Sequence, residues 1–451
     1  MTTDHAGAPS LSRILGFGFS IALAFGGTVG VGILRLPGTV AAALGDGTLV
    51  AIVWLAGGLY ATLGAVSVAE LAALMPTAGG FYVYARRAFG PGPGFVVGWN
   101  DWILNCVTIA YATLTVADFL GVLFPALAGR GPGLALGVLA LFAALHWLGL
   151  KVGSGVQNAI SALVGVLLVA LAAGCFAVGA PPADAASAPP PPSPSPLLSL
   201  GMLAALVAAL RSVIVTYDGW YGAIYLAEET VDASRNVPRA IVSCALLVTA
   251  LYVLINLGFL HALSLPALAA SKLPAADAAR RILPRGGAEF VTVVSLCTVL
   301  SLINATLLGT PRILYAIGRD GLFTGTATRV TAGGTPSVAL AITSVAAALM
   351  VLSGTLERLI AVAAVLFVFN YVSAYSAVIV LRTREPALAR PFRAPGYPWT
   401  TGLVLAGSVA FLIAAIADDP ESDAYAGVLT ALAAPAYLWL SRRQRAAPAA
   451  R

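Results

Sequence analysis

Two stretches of this chain combine residue types that could bind a charged ligand within apolar surroundings. The first lies inside an apolar run over residues 14–44 and reads Phe25-Gly26-Gly27-Thr28-Val29-Gly30-Val31-Gly32-Ile33-Leu34-Arg35-Leu36-Pro37-Gly38. Glycine and proline both disfavour a continuous helix, so a helix through this stretch is expected to break. In hydrocarbon, the main-chain groups freed by a break are tolerated only inside protein or beside a cavity. The stretch therefore predicts a binding element, and the alternatives are a glycine-rich packing face or a proline kink.

The second stretch carries a carboxylate in the middle of another apolar run. Asp218 lies between Tyr217 and Gly219, and Gly222 follows one turn later. An ionisable group at membrane depth is costly and indicates function. The end of a half-helix can bind an ion: its N-terminus favours an anion and its C-terminus a cation. Two interrupted spans in corresponding positions, the first and the sixth, predict a substrate site at the membrane midplane between them.

Covalent chemistry lacks support in the sequence. We find no His-Glu-x-x-His zinc motif, no Gly-x-Ser-x-Gly elbow and no cluster of histidine with carboxylates. The glycines between 27 and 32 do not follow a strand, which a dinucleotide-binding loop requires. The four cysteines lie in apolar runs and are expected to be buried side chains, not disulfides or metal ligands: Cys106, Cys175, Cys244 and Cys297. We therefore expect no enzyme activity, no cofactor and no metal site.

The elements that position these stretches are membrane helices. Of the 451 residues, 59% are hydrophobic and 10% are charged, which excludes an ordinary soluble domain. With about 20 apolar residues per crossing, the sequence predicts an all-α polytopic fold with about twelve transmembrane helices. The predicted spans lie near 13–43, 48–74, 94–124, 132–150, 156–179, 198–227, 238–262, 287–317, 336–353, 357–381, 399–417 and 423–441. An amphipathic segment over 264–285 is expected to hold a short helix.

Basic residues indicate the orientation of these spans. If the N-terminus is cytoplasmic, seventeen lysines and arginines fall on the cytoplasmic side and six outside, so both termini are expected inside. The net charge of +6 then reflects loop bias and not nucleic-acid binding. We expect an integral protein of a bacterial inner (plasma) membrane.

Domain boundaries follow from this orientation. Spans one to five and six to ten enter the membrane from opposite sides, which predicts an inverted repeat with discontinuous helices one and six. The predicted units are a cytoplasmic tail over 1–12, a first repeat over 13–179, a proline-rich external loop over 180–197, a second repeat over 198–381, the last two spans with their preceding loop over 382–441, and a tail over 442–451.

Five motifs in this order resemble those of a known family. They are Gly30-Val31-Gly32-Ile33 with Pro37-Gly38, Met75-Pro76-Thr77-Ala78-Gly79-Gly80 with Tyr82 and Tyr84, Tyr217-Asp218-Gly219-Trp220 with Glu228-Glu229, Arg319-Asp320-Gly321 with Thr335-Pro336, and Arg390-Pro391-Phe392-Arg393. With them the chain resembles an amino acid permease of the amino acid–polyamine–organocation superfamily, in its L-type amino acid transporter-like branch. The motifs cover nearly the whole chain.

The resemblance implies a set of binding residues. The substrate carboxylate would lie against the first break at Thr28, Val29, Gly30, Val31 and Gly32. The amino group would lie against the second break at Val215, Thr216 and Tyr217, beside Asp218. Trp220 or Tyr221 would gate or stack over the substrate. Asn105 and Asn304 would be polar pocket residues, or alternatively bonds between helices.

Two departures from the family pattern bear on coupling and specificity. Related proton-coupled members carry a lysine in span five, whereas this chain has Val164 at the matching place, which puts coupling by that lysine in doubt. Arg35 and Arg211 lie near the breaks. They form a basic vestibule for anionic substrates, or they pair with carboxylates such as Asp218 or Asp118; we favour pairing.

The expected function is secondary active transport of an amino acid or related amine by alternating access, as an exchanger or an ion-coupled symporter. The alternative is a membrane sensor or channel of the same fold without a transport cycle. The expected partners are the amino acid substrate and the lipid bilayer. The external loop over 126–133 has no cysteine, so we expect no disulfide-linked heavy chain, while a homo-oligomer stays open.

Overall fold

The computed structural model describes residues 11–179, 200–418 and 420–446, and regular structure in these ranges is helical. The predicted loop over 180–197 and most of the predicted N-terminal tail lie outside the described residues. The α-helices are α1 (Phe17–Thr28), α2 (Gly32–Leu44), α3 (Gly47–Leu74), α4 (Phe81–Phe89), α5 (Pro91–Leu123), α6 (Gly131–Trp147), α7 (Leu150–Ala177), α8 (Leu200–Thr216), α9 (Ala233–Ala262), α10 (Leu265–Ala270), α11 (Pro274–Ile282), α12 (Gly287–Arg319), α13 (Ser337–Ser353), α14 (Leu356–Arg384), α15 (Trp399–Asp418), α16 (Pro420–Ala431) and α17 (Ala433–Ala446).

The helices have the length and composition of membrane spans. Within the described ranges, eight are long and apolar enough to cross a bilayer. The pair α1 and α2 passes the same test as one span bent by 47°, and three shorter apolar helices are α6, α8 and α13. The chain is therefore an integral membrane protein with an all-helical fold. These helices occupy the places of the twelve predicted spans, while twelve crossings and the inverted repeat remain predictions.

Each helix has a face that packs inside the bundle, and many also have an apolar face that stays exposed on the outside. The helices α3 and α9 pack along each other, α5 packs against α12 and α14, and α1 packs against α9 and α7. Large apolar side chains remain exposed on the outer helix faces, among them Ile52, Leu141, Val166 and Leu349. Such a surface suits lipid, which satisfies apolar side chains as well as a protein core does.

Three segments differ from or refine the expected spans. The connection after α3, expected as a loop, contains the helix α4, which begins after Gly80 at a φ of 55°. The amphipathic segment over 264–285 forms two helices, α10 and α11, each with a proline in its first turn. The last predicted span is interrupted at Leu432, between α16 and α17.

Candidate functional site

The first predicted break is present between α1 and α2. The helix α1 ends at Thr28, and the N–H of Val29 still donates to the carbonyl of Phe25 at 2.8 Å. For the N–H groups of Gly30, Val31 and Gly32, no main-chain acceptor lies within reach in the described part of the chain. The hydroxyl of Tyr252 accepts from the N–H of Gly30. The break thus presents the N–H groups of Val31 and Gly32 as donors at the positive end of the α2 dipole.

The second predicted break follows α8. This helix ends at Thr216, Gly219 has a φ of 105°, and a 3-10 segment covers Gly222–Glu229. The carbonyl of Val215 accepts from the N–H of Asp218 at 3.3 Å, whereas the carbonyls of Thr216 and Tyr217 accept from no main-chain donor among the described residues. The break therefore presents free acceptors at the negative end of the α8 dipole.

The two breaks touch each other through the main chain. A Cβ atom built at Gly219 would lie 2.2 Å from the carbonyl oxygen of Gly27 and 3.0 Å from the nitrogen of Thr28. A Cβ atom at Gly32 would lie 3.0 Å from the methyl group of Thr216. Glycine at these positions allows the break after α8 to approach the end of α1 and the start of α2, because a side chain at Gly219 would push the breaks apart.

A cavity of about 850 Å³ lies beside the two breaks. Its mouth is lined by the last turns of α2 and α5, the α10–α11 connection and the first turns of α14. Ten of the predicted site residues line it: Thr28, Gly30, Val31, Gly32, Arg35, Asn105, Val215, Thr216, Asp218 and Tyr221. Its volume falls in the usual range for small-molecule sites.

Five predicted site residues are absent from the cavity wall, each because it is committed elsewhere. Val29 is buried and its N–H is taken by α1. The hydroxyl of Tyr217 donates to the carbonyl of Trp54 at 3.1 Å. The ring of Trp220 stacks on Tyr371, with centroids 5.6 Å apart and an interplanar angle of 10°.

The remaining two lie on other helices. The amide of Asn304 donates to Gln157 Oε1 at 2.8 Å and to the carbonyl of Gly153 at 3.1 Å, so it joins α12 to α7. The guanidinium of Arg211 lies 5.9 Å from the ring centroid of Phe411. Of the two residues predicted as gates, the structure places Tyr221 at the cavity and Trp220 behind it.

Among the described residues, Asp218 has no arginine partner of the kind that the sequence predicted. Instead, its Oδ1 accepts from the hydroxyl of Tyr371 on α14 at 2.5 Å. Arg35 is exposed at the cavity wall, with no ion pair to Asp218 or Asp118. The cavity therefore has a carboxylate near its floor and a cationic side chain nearer its mouth, and the vestibule hypothesis for Arg35 stays open.

Polar residues of α5 form a stripe in the cavity wall, of which the sequence interpretation predicted only Asn105 as a binding residue. Asn105, Thr108, Tyr111, Thr115 and Asp118 all line the cavity. Their three- to four-residue spacing places them along one helix face, and this periodicity is the signal that could have identified them.

The helix α7, which is the fifth predicted span, contacts α1 through the neutral side-chain amide of Gln157. Val164, the position expected to matter for coupling, is buried among apolar residues. One to two turns earlier, Gln157 Nε2 donates to the carbonyl of Ala22 at 3.2 Å and to the hydroxyls of Ser161 and Ser301 at 2.9 and 3.0 Å. An uncharged amide group thus fills the contact between α7, α1 and α12.

No cluster of three or more histidine, cysteine, aspartate or glutamate residues that could hold a metal occurs in the described chain.

The end of the bundle opposite to the cavity mouth is closed by a buried ion pair. Arg312 of α12 donates from Nε and Nη2 to the two carboxylate oxygens of Glu229, each at 2.9 Å. Both side chains are buried, with relative exposures of 1% and 0%. The carbonyl of Glu229 also accepts from the N–H groups of Ile14 and Leu15 at 3.0 Å, which ties the entry to α1 onto the 3-10 segment.

More exposed pairs surround this closure. Arg319 pairs with Glu228 at 2.8 Å, and Arg86 pairs with Asp320 at 2.8 Å. Arg235 and Arg239 are nearer in sequence to the two glutamates, but the partners of Glu228 and Glu229 lie 83 to 91 residues further along the chain on α12.

Comparison with known proteins identifies related chains. A family model described as amino acid permease matches residues 15–434. The serine/threonine exchanger SteT of Bacillus subtilis (strain 168) is 26% identical over 449 residues, which cover 98% of this chain and 99% of SteT. The branched-chain amino acid permease BcaP of the same organism is 27% identical over 423 residues, or 89% of this chain and 87% of BcaP. The b(0,+)-type amino acid transporter 1 of Homo sapiens is 27% identical over 405 residues, or 86% and 79%.

Proposed function

Because this chain belongs to the amino acid permease family, whose members are membrane transporters and not enzymes, we propose that it is a secondary active transporter that moves an amino acid by alternating access. Relatives are described as an exchanger, a permease and a b(0,+)-type transporter. Exchange and ion-coupled symport both fit this range of relatives.

The observation that carries the proposal is the opposite polarity of the two breaks beside one cavity. Free N–H groups at Val31 and Gly32 suit a carboxylate, and the free carbonyl of Thr216 at the cavity wall suits an ammonium group. A zwitterion is the ligand class that satisfies both at once. Asp218, near the second set, would add attraction for the ammonium group.

The second observation is that the cavity is open at one end of the bundle and closed at the other. We propose that both termini are cytoplasmic in a bacterial plasma membrane, so that the cavity faces the outside. The pair of Arg312 and Glu229 then closes the cytoplasmic side. Transport would need this closure to open while the walls at Arg35 and Tyr221 come together.

The predicted inverted repeat fits the same cycle. We propose that α1 and α2, α3, α8 and α9 form a bundle that rocks against a scaffold of α5, α6, α12 and α13. The boundaries of the two repeats, 13–179 and 198–381, are retained in this proposal. We expect the protein to work without a disulfide-linked heavy chain, and we leave self-association to measurement.

Counterflow into proteoliposomes tests the proposal. Liposomes loaded with unlabelled L-serine, L-threonine or L-leucine are diluted into a trace of the same labelled amino acid. A transporter accumulates label transiently and saturably against the internal pool. A channel only equilibrates the label, and a sensor takes up none; either result would refute the proposal.

A pair of glycine variants makes the test specific to the first break. A Cβ atom at Gly30 meets nothing within 4 Å, so Gly30→Leu should fold but occupy the substrate's place in the cavity. Gly18→Leu on the exposed face of α1 is the matched control, because a Cβ atom there also meets nothing within 4 Å. We expect counterflow to be lost in the first variant and kept in the second.

A further inference from the structure

Asp101 lies on α5, one helical turn before the cavity residue Asn105, and is fully buried. Its Oδ1 accepts from the hydroxyl of Tyr225 at 2.8 Å, from the amide of Asn370 at 2.9 Å and from the amide of Asn105 at 3.2 Å. Its Oδ2 has no hydrogen-bond partner among the described residues. One oxygen of this carboxyl group is therefore saturated with donors, and the other receives none.

This asymmetry suits a group that gains and loses a proton. As an anion, the group has three donors on Oδ1 but no arginine or lysine in ion-pair contact within the described chain, and an unpaired buried charge is costly. As a neutral acid it carries the proton on Oδ2, and one unpaired hydroxyl costs only about 1–3 kcal/mol. Neither form is strongly excluded by the surroundings.

The groups around Asp101 reinforce this balance. The titratable side chains that act on it are Tyr225 and Tyr221 from the 3-10 segment and Asp218 from the second break. Asp218 adds negative charge, which disfavours the Asp101 anion. From α14, the contact is the neutral amide of Asn370.

The other neighbouring helices contribute uncharged groups. Gly309 of α12 faces the ring of Tyr225, and Phe81 of α4 packs edge-on against the same ring with centroids 6.4 Å apart. The amide of Asn100 on α5 itself donates to Asn370 and to the carbonyl of Leu366. Asp101 thus lies in a polar network in which the described residues supply no compensating cation.

We propose that Asp101 is a proton-binding site that couples the movement of substrate to the movement of a proton. This inference rests on the proposed transport function and names its driving ion. Asp101 is not at the place of the family's lysine, which lies in the fifth predicted span, corresponding to α7. Asp101 instead lies on α5 and contacts Tyr225 in the 3-10 segment that follows the second break.

The coupling follows from what Asp101 holds together. Tyr225 lines the cavity and belongs to the 3-10 segment of the discontinuous element, whereas Asp101 belongs to α5. A hydrogen bond to a carboxylate is stronger than one to a neutral acid. Transfer of a proton from cavity water to Oδ2 therefore weakens the bond from Tyr225 and allows the segment to leave α5. Release of that proton to water on the opposite side of the membrane restores the hydrogen bond from Tyr225 to Asp101. No covalent bond other than the O–H bond on Oδ2 forms or breaks.

The experiment measures substrate and proton movement in the same proteoliposomes. Labelled L-serine, L-threonine or L-leucine reports counterflow at equal pH on both sides, and pyranine trapped inside reports proton entry when the unlabelled amino acid is added outside. For the wild-type chain we expect counterflow together with acidification of the interior. Counterflow without acidification would overturn this inference alone, whereas the absence of counterflow would overturn the proposed function.

Variants locate the proton site. Asp101→Asn resembles the protonated acid in shape but cannot release a proton. We expect it to retain counterflow and to lower substrate-driven acidification by at least about tenfold, whereas Asp101→Glu keeps an acid there and restores part of the signal. Glu289→Gln, at an exposed carboxylate in the first turn of α12, is the control and should leave both signals unchanged.

A third variant separates a proton site from a structural role. Tyr225→Phe removes one donor that favours the carboxylate, so the midpoint of proton-driven uptake should move to higher pH. The proposal is refuted if Asp101→Asn acidifies the interior as the wild type does. It is equally refuted if Asp101→Asn and Asp101→Glu both lose counterflow, or if Tyr225→Phe leaves the pH midpoint in place.

Discussion

The pair of Arg312 and Glu229 should be the interaction whose disruption costs this fold most. The arginine makes a bidentate contact with the carboxylate at 2.9 Å for both bonds, and its Nη1 donates to the carbonyl of Leu308 at 2.7 Å. Neither side chain reaches solvent. Arg312→Met would keep most of the side-chain volume and leave the Glu229 carboxylate buried without a partner.

The magnitude follows from that burial. Removing one member of a buried ion pair costs about 3–5 kcal/mol, because the remaining charge stays desolvated. This corresponds to a factor of about 10²–10⁴ in the equilibrium between folded and unfolded protein. Replacing both residues, as in Arg312→Met with Glu229→Leu, removes the unpaired charge and should recover most of the loss.

The assay is unfolding in detergent micelles by titration with sodium dodecyl sulfate, followed by tryptophan fluorescence. Arg319→Met is the matched control on the same helix, because Arg319 and its partner Glu228 are 38% and 23% exposed and such pairs contribute little. The reasoning fails if Arg312→Met is no more destabilising than Arg319→Met, or if the double variant is no more stable than the single one.

Three further outcomes are expected. Gly219→Ala should abolish counterflow, because the added Cβ atom would lie 2.2 Å from the carbonyl oxygen of Gly27 in the first break. The backbone φ of 105° at this position adds about 1–3 kcal/mol of strain for alanine. Normal uptake by this variant would show that the breaks need not touch. Arg35→Gln should weaken competition by L-glutamate relative to L-serine in counterflow if Arg35 serves as a vestibule, and an unaltered ratio would assign it no role in selection. The hydrogen bond from Arg87 lowers the pKa of Glu385 below its usual 4.5, so the stabilisation from this pair is present at neutral pH and is lost as the pH falls through the lowered pKa. The melting-temperature difference between wild type and Glu385→Gln should therefore be constant from about pH 6 to pH 8 and disappear in acid.

Both breaks could be placed from the sequence because their signals are local. The glycines between 26 and 32 remove side chains from a span that is otherwise apolar, and directly after α8 Asp218 and Gly219 add a charge and remove a side chain. Such residues act within one helical turn, so no knowledge of neighbouring helices is needed. The structure shows both interruptions, and they lie in contact with each other.

Side-chain partners could not be placed in the same way. Helical spacing tells which residues share a face, but the partner on another helix depends on how the helices pack. The partner of Glu229 is Arg312, 83 residues further along the chain, and no local pattern points to it. For the same reason Trp220 was expected over the substrate, whereas its ring stacks on Tyr371 of α14.

The central claim is that free main-chain groups at the two breaks hold the carboxylate and the amino group of one substrate. Competition in counterflow between an amino acid, its carboxamide and its N-acetyl derivative tests this most directly. Each derivative loses one charge and the charge-assisted hydrogen bonds to one break, worth about 1.5–3 kcal/mol, so each should compete about 10- to 150-fold more weakly. If either derivative competes as well as the parent amino acid, the corresponding break does not bind the substrate.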